Sequence, residues 1–291
     1  MPEKYVRQGG LAILLRHTGP STLPETPPVG ASGSAVVCLH DAGLQSSVFC
    51  DLLAALRTLR GETGAGVRAI GDADACALAF DLPGHGRSGG LDALPSVAAM
   101  SECARNVAGW CRATRPIVVG HGMGALVALD WARRAPESIG ALVLCGTGAA
   151  FGIGDEAIAT MREVTLGRAA RPFDPKRLAP GGSPDLMRRA WFESIQTDPR
   201  VTLVDLEASR AFARAHGAAT PASSKLSGGG PAVPTLVACG EHEAAAERDG
   251  AQALATRLGA RFSAIPGAAH WLPLEQPAAL AAEIFSLRSA A

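Results

Sequence analysis

Hydrophobic and polar positions follow two rhythms along this chain. Residues 4–17, KYVRQGGLAILLRH, form two short apolar-rich runs joined at Gly9-Gly10, which predicts a hairpin. Apolar runs of strand length follow: AVVCL at 35–39, CALAF at 76–80, PIVVG at 116–120, IGALVLCG at 139–146, TLVAC at 235–239 and RFSAI at 261–265. Between them the spacing turns helical. Over Ser46–Leu59, Phe49, Leu52, Leu53 and Leu56 share one face. Pro95–Thr114, Met123–Ala135, Ala244–Leu258 and Pro277–Leu287 also read as helices, and GETGAGVRAIGDADA (61–75) as a loop. Strands alternating with helices predict an α/β fold, with a mostly parallel central sheet covered by helices on both faces.

The alternation breaks between about 150 and 230. Helical sequence occurs at Asp155–Leu166, Pro184–Ile195 and Val201–His216 without a convincing strand, and it ends in the run TPASSKLSGGGPAVP. This predicts a helical cap over 151–230, inserted into a core made of 1–150 and 231–291. Such an insertion rests on the carboxyl ends of the strands, where open α/β sheets bind their ligands.

Composition narrows the function classes. Of 291 residues 47% are hydrophobic, enough for a large core. Lys+Arg and Asp+Glu both number 27, and the chain has one Tyr. Neither charge nor aromatic content argues for nucleic acid or an anionic membrane surface. The seven cysteines form no C-x-x-C pair and several lie in apolar runs, as expected of buried free thiols in a reducing compartment. The N-terminus has no basic-then-apolar signal pattern, and no apolar run approaches the roughly 18 residues of a membrane helix. The expectation is a cytoplasmic protein with a small-molecule substrate, and nothing in the pattern specifies an oligomer. No spacing fits a zinc site, and no G-x-G-x-x-G follows the first core strand, so neither a metal nor an organic cofactor is expected.

Five segments bear on chemistry: LHD (39–41), DLPGHGRS (81–88), GHGMG (120–124), CGEHE (239–243) and PGAAHWLPLEQP (266–277). In this order the chain resembles the α/β-hydrolase superfamily, in its esterase, lactonase and C–C hydrolase branches. The resemblance covers nearly the whole chain. It implies a nucleophile elbow at GHGMG, where the family pattern is G-x-S-x-G. Gly122 stands where the serine would be, so no atom is there to acylate. The resemblance further implies His270 as the base, with Glu243 as its orienting carboxylate and Glu241 as the competing choice. The N–H groups of Ala42 and Met123 would form the oxyanion hole.

Asp41 departs from the family's L-H-G pattern. Its carboxylate would repel an oxyanion, bind a polar substrate group, act as an acid if burial raised its pKa, or turn outward to cap the next helix. His40 and His85 are expected to brace loops, with His40 also a candidate for substrate contact. Trp191 and Trp271 are candidates to wall the pocket.

Three readings stay open. In the first, a Glu243–His270 dyad acts as a general base without a covalent intermediate on a small, largely apolar carbonyl compound, such as an ester, lactone or diketone; cofactor-independent lyase or oxygenase chemistry belongs here too. In the second, the protein binds a ligand without catalysis. In the third, glycine has been substituted for the nucleophile of a serine esterase or lactonase. The first requires an open notch at Gly122 facing the imidazole.

Overall fold

The computed structural model describes residues 1–30, 35–62, 76–90, 92–148, 153–216 and 233–288. The predicted loop over 61–75 and the run TPASSKLSGGGPAVP lie mostly outside them. Strands β1 (Glu3–Gln8) and β2 (Leu11–His17) form the expected hairpin. Six further strands are β3 (Ala35–Leu39), β4 (Cys76–Phe80), β5 (Ile117–His121), β6 (Ala141–Cys145), β7 (Thr235–Gly240) and β8 (Arg261–Ile265). The eight strands make one sheet in the order β1-β2-β4-β3-β5-β6-β7-β8, parallel from β4 to β8 and antiparallel at the hairpin.

Helices cover both faces because each buried strand is apolar on both sides. Along β3, Val37 and Leu39 join one core while Val36 and Cys38 join the other, the period-2 alternation of a pleated strand. The first core is closed by α2 (Val97–Trp110), α3 (Met123–Arg134) and α7 (Ala245–Leu258). The second is closed by α1 (Cys50–Glu62), α8 (Leu272–Glu275) and α9 (Pro277–Arg288). The predicted helix at Ser46 begins one turn late as α-helix, because Ser46–Phe49 form a 3₁₀ turn. The short α8 was not foreseen, since four residues carry no periodicity. No cysteine is disulfide-bonded.

Between β6 and β7 lie α4 (Asp155–Thr165), α5 (Pro184–Ile195) and α6 (Pro199–His216). Most of their charges face outward, but Glu193 of α5 accepts from Ser47 Oγ at 2.6 Å and Asp205 of α6 is fully buried. Val201, Thr202, Asp205, Ala208, Ser209 and Phe212 form the buried stripe of α6, so one acidic residue sits in an otherwise uncharged row. Asp205 Oδ2 lies 2.7 Å from His85 Nε2 and accepts the Gly43 N–H at 2.9 Å. This helix is thereby tied to the two loops that leave β3 and β4 beside the site. Among the described residues no helix is long and apolar enough to cross a membrane.

Candidate functional site

The site lies at the carboxyl ends of β3, β5, β7 and β8. The turn after β5 is sharp: Gly122 has φ 53° and ψ −116°, a conformation that a residue with a Cβ enters only under strain. Gly120 and Gly124 let this turn close, since a Cβ on either would overlap neighbouring backbone. The backbone of a nucleophile elbow is therefore intact, although no side chain stands at its tip.

The notch at that tip is filled. A Cβ built on Gly122 would overlap the carboxylate of Asp41, which reaches across from the loop after β3. Asp41 Oδ1 accepts the N–H of Ala42 and the N–H of Met123, each at 2.7 Å. Those are the two groups expected to form the oxyanion hole, and both are occupied by a side chain of the protein itself. Asp41 does not turn outward as a helix cap. The empty notch required for a base-activated water at Gly122 is absent, because the group that replaced a loop glycine fills the volume that the missing serine would have taken.

His270 and Glu243 do meet. His270 Nδ1 lies 2.8 Å from Glu243 Oε1, and both side chains are buried. Glu241 instead accepts the Gly267 N–H at the surface. His270 Nε2 lies 3.3 Å from Asp41 Oδ2. The imidazole thus stands between two carboxylates, with a polar partner at each nitrogen. Burial and the positive charge of Arg177 push its pKa down, but the bonds to Asp41 and Glu243 outweigh them, and the net shift is upward. Doubly protonated, the ring donates to both carboxylates. For Asp41, burial opposes ionisation. The His270 hydrogen bond and nearby positive charge overcome that cost and hold the carboxyl well below its usual range.

Two further residues fix the histidine loop. His121 points away from the tip, and its Nε2 lies 2.8 Å from the His270 carbonyl oxygen. Burial, reinforced by the charge of His270, lowers the His121 pKa to about 4, so the ring is neutral and donates that bond. Glu275 was not singled out from the sequence. Its carboxylate accepts the N–H groups of Ala179, Ala269 and Trp271, so it folds the loop around His270 and joins it to the segment before α5. A charge inside the apolar stretch HWLPLEQP was the available signal.

A cavity of about 750 Å³ opens above Asp41, Gly122 and His270. Loops of the sheet line one side, and Arg171, Arg177, Thr202 and Leu206 from the β6–β7 insertion line the other. Trp271 is part of its wall. Trp191 is not: it sits 47% exposed on the outer side of α5. His40 does not line the cavity either. It is fully buried, its Nδ1 faces the Asp41 carbonyl at 2.9 Å and its Nε2 accepts the Leu82 N–H at 3.1 Å, which makes it a brace between loops. Among the described residues no group of His, Cys, Asp and Glu is arranged to hold a metal ion.

Comparison with known proteins agrees with this architecture. A thermophilic esterase from Thermogutta terrifontis superposes with a TM-score of 0.70 at 20% identity, over 97% of this chain and 95% of that one. The enol-lactonase from Burkholderia xenovorans LB400 gives 0.69 at 19% identity, over 98% and 99%. An esterase from Exiguobacterium antarcticum gives 0.72 at 17% identity, over 98% and 99%. No curated protein matches by sequence. The profile described as alpha/beta hydrolase family matches residues 36–283, so by sequence pattern as well as by fold this chain belongs to the alpha/beta hydrolase family.

Proposed function

We propose that this protein is a hydrolase of a small, largely apolar compound, in which His270 is the general base toward a group in the cavity rather than toward a water at the filled Gly122 notch, Glu243 orients it, and no serine acyl-enzyme forms. The observation that carries this reading is the 2.8 Å contact between His270 Nδ1 and Glu243 Oε1, with the opposite nitrogen directed to the cavity floor at Asp41. A buried carboxylate fixes the ring's orientation and stabilises its protonated form, the arrangement that proton transfer to and from a reacting group needs. The same reading makes residues 151–230 a helical cap over the core of 1–150 and 231–291. In support, Arg171 and Arg177 line the cavity from that segment and Asp205 anchors it.

The ester, lactone or diketone class enters this reading under one constraint. The Ala42 and Met123 N–H groups already hold Asp41, so a substrate carbonyl finds those donors only if the carboxylate leaves. The test is a hydrolysis panel of p-nitrophenyl esters, γ-lactones, 1,2-epoxyhexane and 1-bromohexane, run with the natural chain and with His270→Ala. Turnover of a panel member that drops roughly 10²- to 10⁴-fold in the variant is the expected result. Turnover that survives the substitution would remove His270 from the mechanism. Tight retention of a panel compound with no turnover would instead mark a binding protein.

A further inference from the structure

Asp41 is the feature that the base dyad leaves unused. Three observations converge on it. Its carboxylate occupies the volume of a side chain at the elbow tip, although it comes from a different strand. Oδ1 is held by two backbone N–H groups at 2.7 Å. Among the described residues Oδ2 accepts no backbone donor; it faces His270 Nε2 at 3.3 Å on the floor of the cavity. A carboxylate immobilised through one oxygen, with the other presented to a substrate-sized cavity beside a histidine–carboxylate pair, has the form of an activated nucleophile.

We infer that Asp41 is the covalent nucleophile of this site, and that its substrate is a compound with an electrophilic saturated carbon whose leaving group departs as an anion. This rests on the reading of His270 as general base and adds the substrate class.

The choice of electrophile follows from where the donors are. Attack on a carbonyl creates an oxyanion on the substrate, and both backbone donors at the elbow are already committed to Oδ1. Displacement at saturated carbon creates no such oxyanion. Oδ2 forms a C–O bond to the carbon as the bond to the leaving group breaks, and the leaving group takes the electron pair. The product is an alkyl ester of Asp41. Arg177 lines the same cavity, and its guanidinium has no hydrogen bond or ion pair among the described residues. Its positive charge acts on both Asp41 and His270, and it offers a cation to the departing anion.

In the second step the donors serve a new purpose. Water attacks Cγ of the ester and gives up a proton to His270, and the negative charge develops on Oδ1. Ala42 and Met123 already donate to that atom, so the oxyanion hole is in place before it is needed. Collapse breaks the Cγ–O bond to the alkyl group, which leaves as the alcohol with a proton from His270, and the carboxylate is restored. With a halide substrate the sum is R–X plus water giving R–OH, X⁻ and one proton. Alkylation also readies the base. It cancels the Asp41 charge, one of the two that hold the imidazole protonated, so once the ester exists His270 gives up its Nε2 proton to solvent and can then accept one from the attacking water.

The experiment is covalent trapping. The natural chain, His270→Gln and Asp41→Asn are each incubated with 1-bromohexane and, separately, with 1,2-epoxyhexane, then analysed by intact mass and peptide mapping. His270→Gln is expected to accumulate one alkyl adduct with at least one probe, mapped to Asp41, and Asp41→Asn to accumulate none. In a single turnover of excess natural chain in ¹⁸O-water, the label is expected in the Asp41 carboxylate and not in the alcohol. Because trapping in His270→Gln reads Asp41 directly, the result stands even if Asp41→Asn fails to fold. No adduct with either probe, an adduct elsewhere, or label appearing directly in the alcohol overturns Asp41 as nucleophile. Label in the alcohol together with loss of turnover in His270→Ala would leave the dyad reading in place, whereas turnover untouched by His270→Ala would overturn the dyad reading.

Discussion

Two histidines in this molecule sit against carboxylates at almost the same distance: His270 lies 2.8 Å from Glu243 and His85 lies 2.7 Å from Asp205. Both are buried, and both have raised pKa values because carboxylate contacts outweigh desolvation. They differ in their second nitrogen and in what lies beyond it. His85 Nδ1 faces the Pro83 carbonyl oxygen at 3.1 Å, and the ring packs 4.7 Å from that of His40 inside the protein. His270 Nε2 faces a second carboxylate, and beyond it is open volume. Pair geometry alone therefore does not separate the proposed base from a structural histidine. Access to a cavity and a second charged partner do.

Exchanging each histidine sharpens this contrast, because only one of the two exchanges should reach turnover. The largest effect is that of His270→Ala. It should lower turnover on any accepted panel substrate by roughly 10²- to 10⁴-fold, together with a loss of stability, because it leaves the buried Glu243 and Asp41 carboxylates without their common partner. His85→Ala should leave turnover nearly unchanged and act on stability alone. It strands Asp205 as an unpaired buried charge, which costs about 3–5 kcal/mol in unfolding free energy, read by urea denaturation. If His85→Ala lowered activity while leaving stability intact, the division between the two pairs would collapse.

Gly122→Ser probes the boundary between the two loops at the site. The new Cβ overlaps the Asp41 carboxylate, so the single substitution should cost about 1–3 kcal/mol from overpacking and give no esterase. Gly122→Ser combined with Asp41→Gly should relieve the overlap, free the Ala42 and Met123 donors and release a burst of p-nitrophenol from p-nitrophenyl butyrate. A burst from the single variant would show that the carboxylate yields its place readily.

The His85 pair has a pH signature of smaller size. The folded pKa of His85 is raised, so its contribution is fully present below the free-imidazole value of about 6.5 and is lost as pH rises through the folded value. Asp205, His40 and Asp81 are the titratable groups acting on this ring. Stability measured from pH 6 upward should fall more in the natural chain than in His85→Gln; parallel curves would count against the linkage. The smallest effect is expected at the rim, where Arg189 of α5 meets Asp51 of α1 at 2.7 Å with both side chains exposed. Arg189→Ala should change unfolding free energy by less than about 0.5 kcal/mol.

Much of this was legible before any fold was known. The apolar runs placed the core strands, because residues buried on both faces of a parallel sheet have little chemical freedom. The spacing of GHGMG, CGEHE and PGAAHW placed an elbow, an acid and a histidine in order, and the contact of Glu243 with His270 follows that order. Asp205 was legible in principle as a lone charge in the buried stripe of α6, yet no local rule names its partner, which lies 120 residues away. His40 and Trp191 were misplaced as pocket residues because neighbouring sequence does not say which side of a loop or helix faces a cavity. Asp41 was visible as a departure from pattern, but its direction was not.

The sequence by itself determined the strands, the longer helices, the order of the motifs and the absence of a side chain at position 122. Those are local properties, written in periodicity and in the presence or absence of atoms. Only the tertiary structure decided that the space at Gly122 belongs to Asp41. That outcome depends on two strands, β3 and β5, lying side by side in the sheet, so that a carboxylate from one reaches the amide groups at the end of the other. Because the two residues are 81 positions apart along the chain, their complementarity exists only after the sheet has formed.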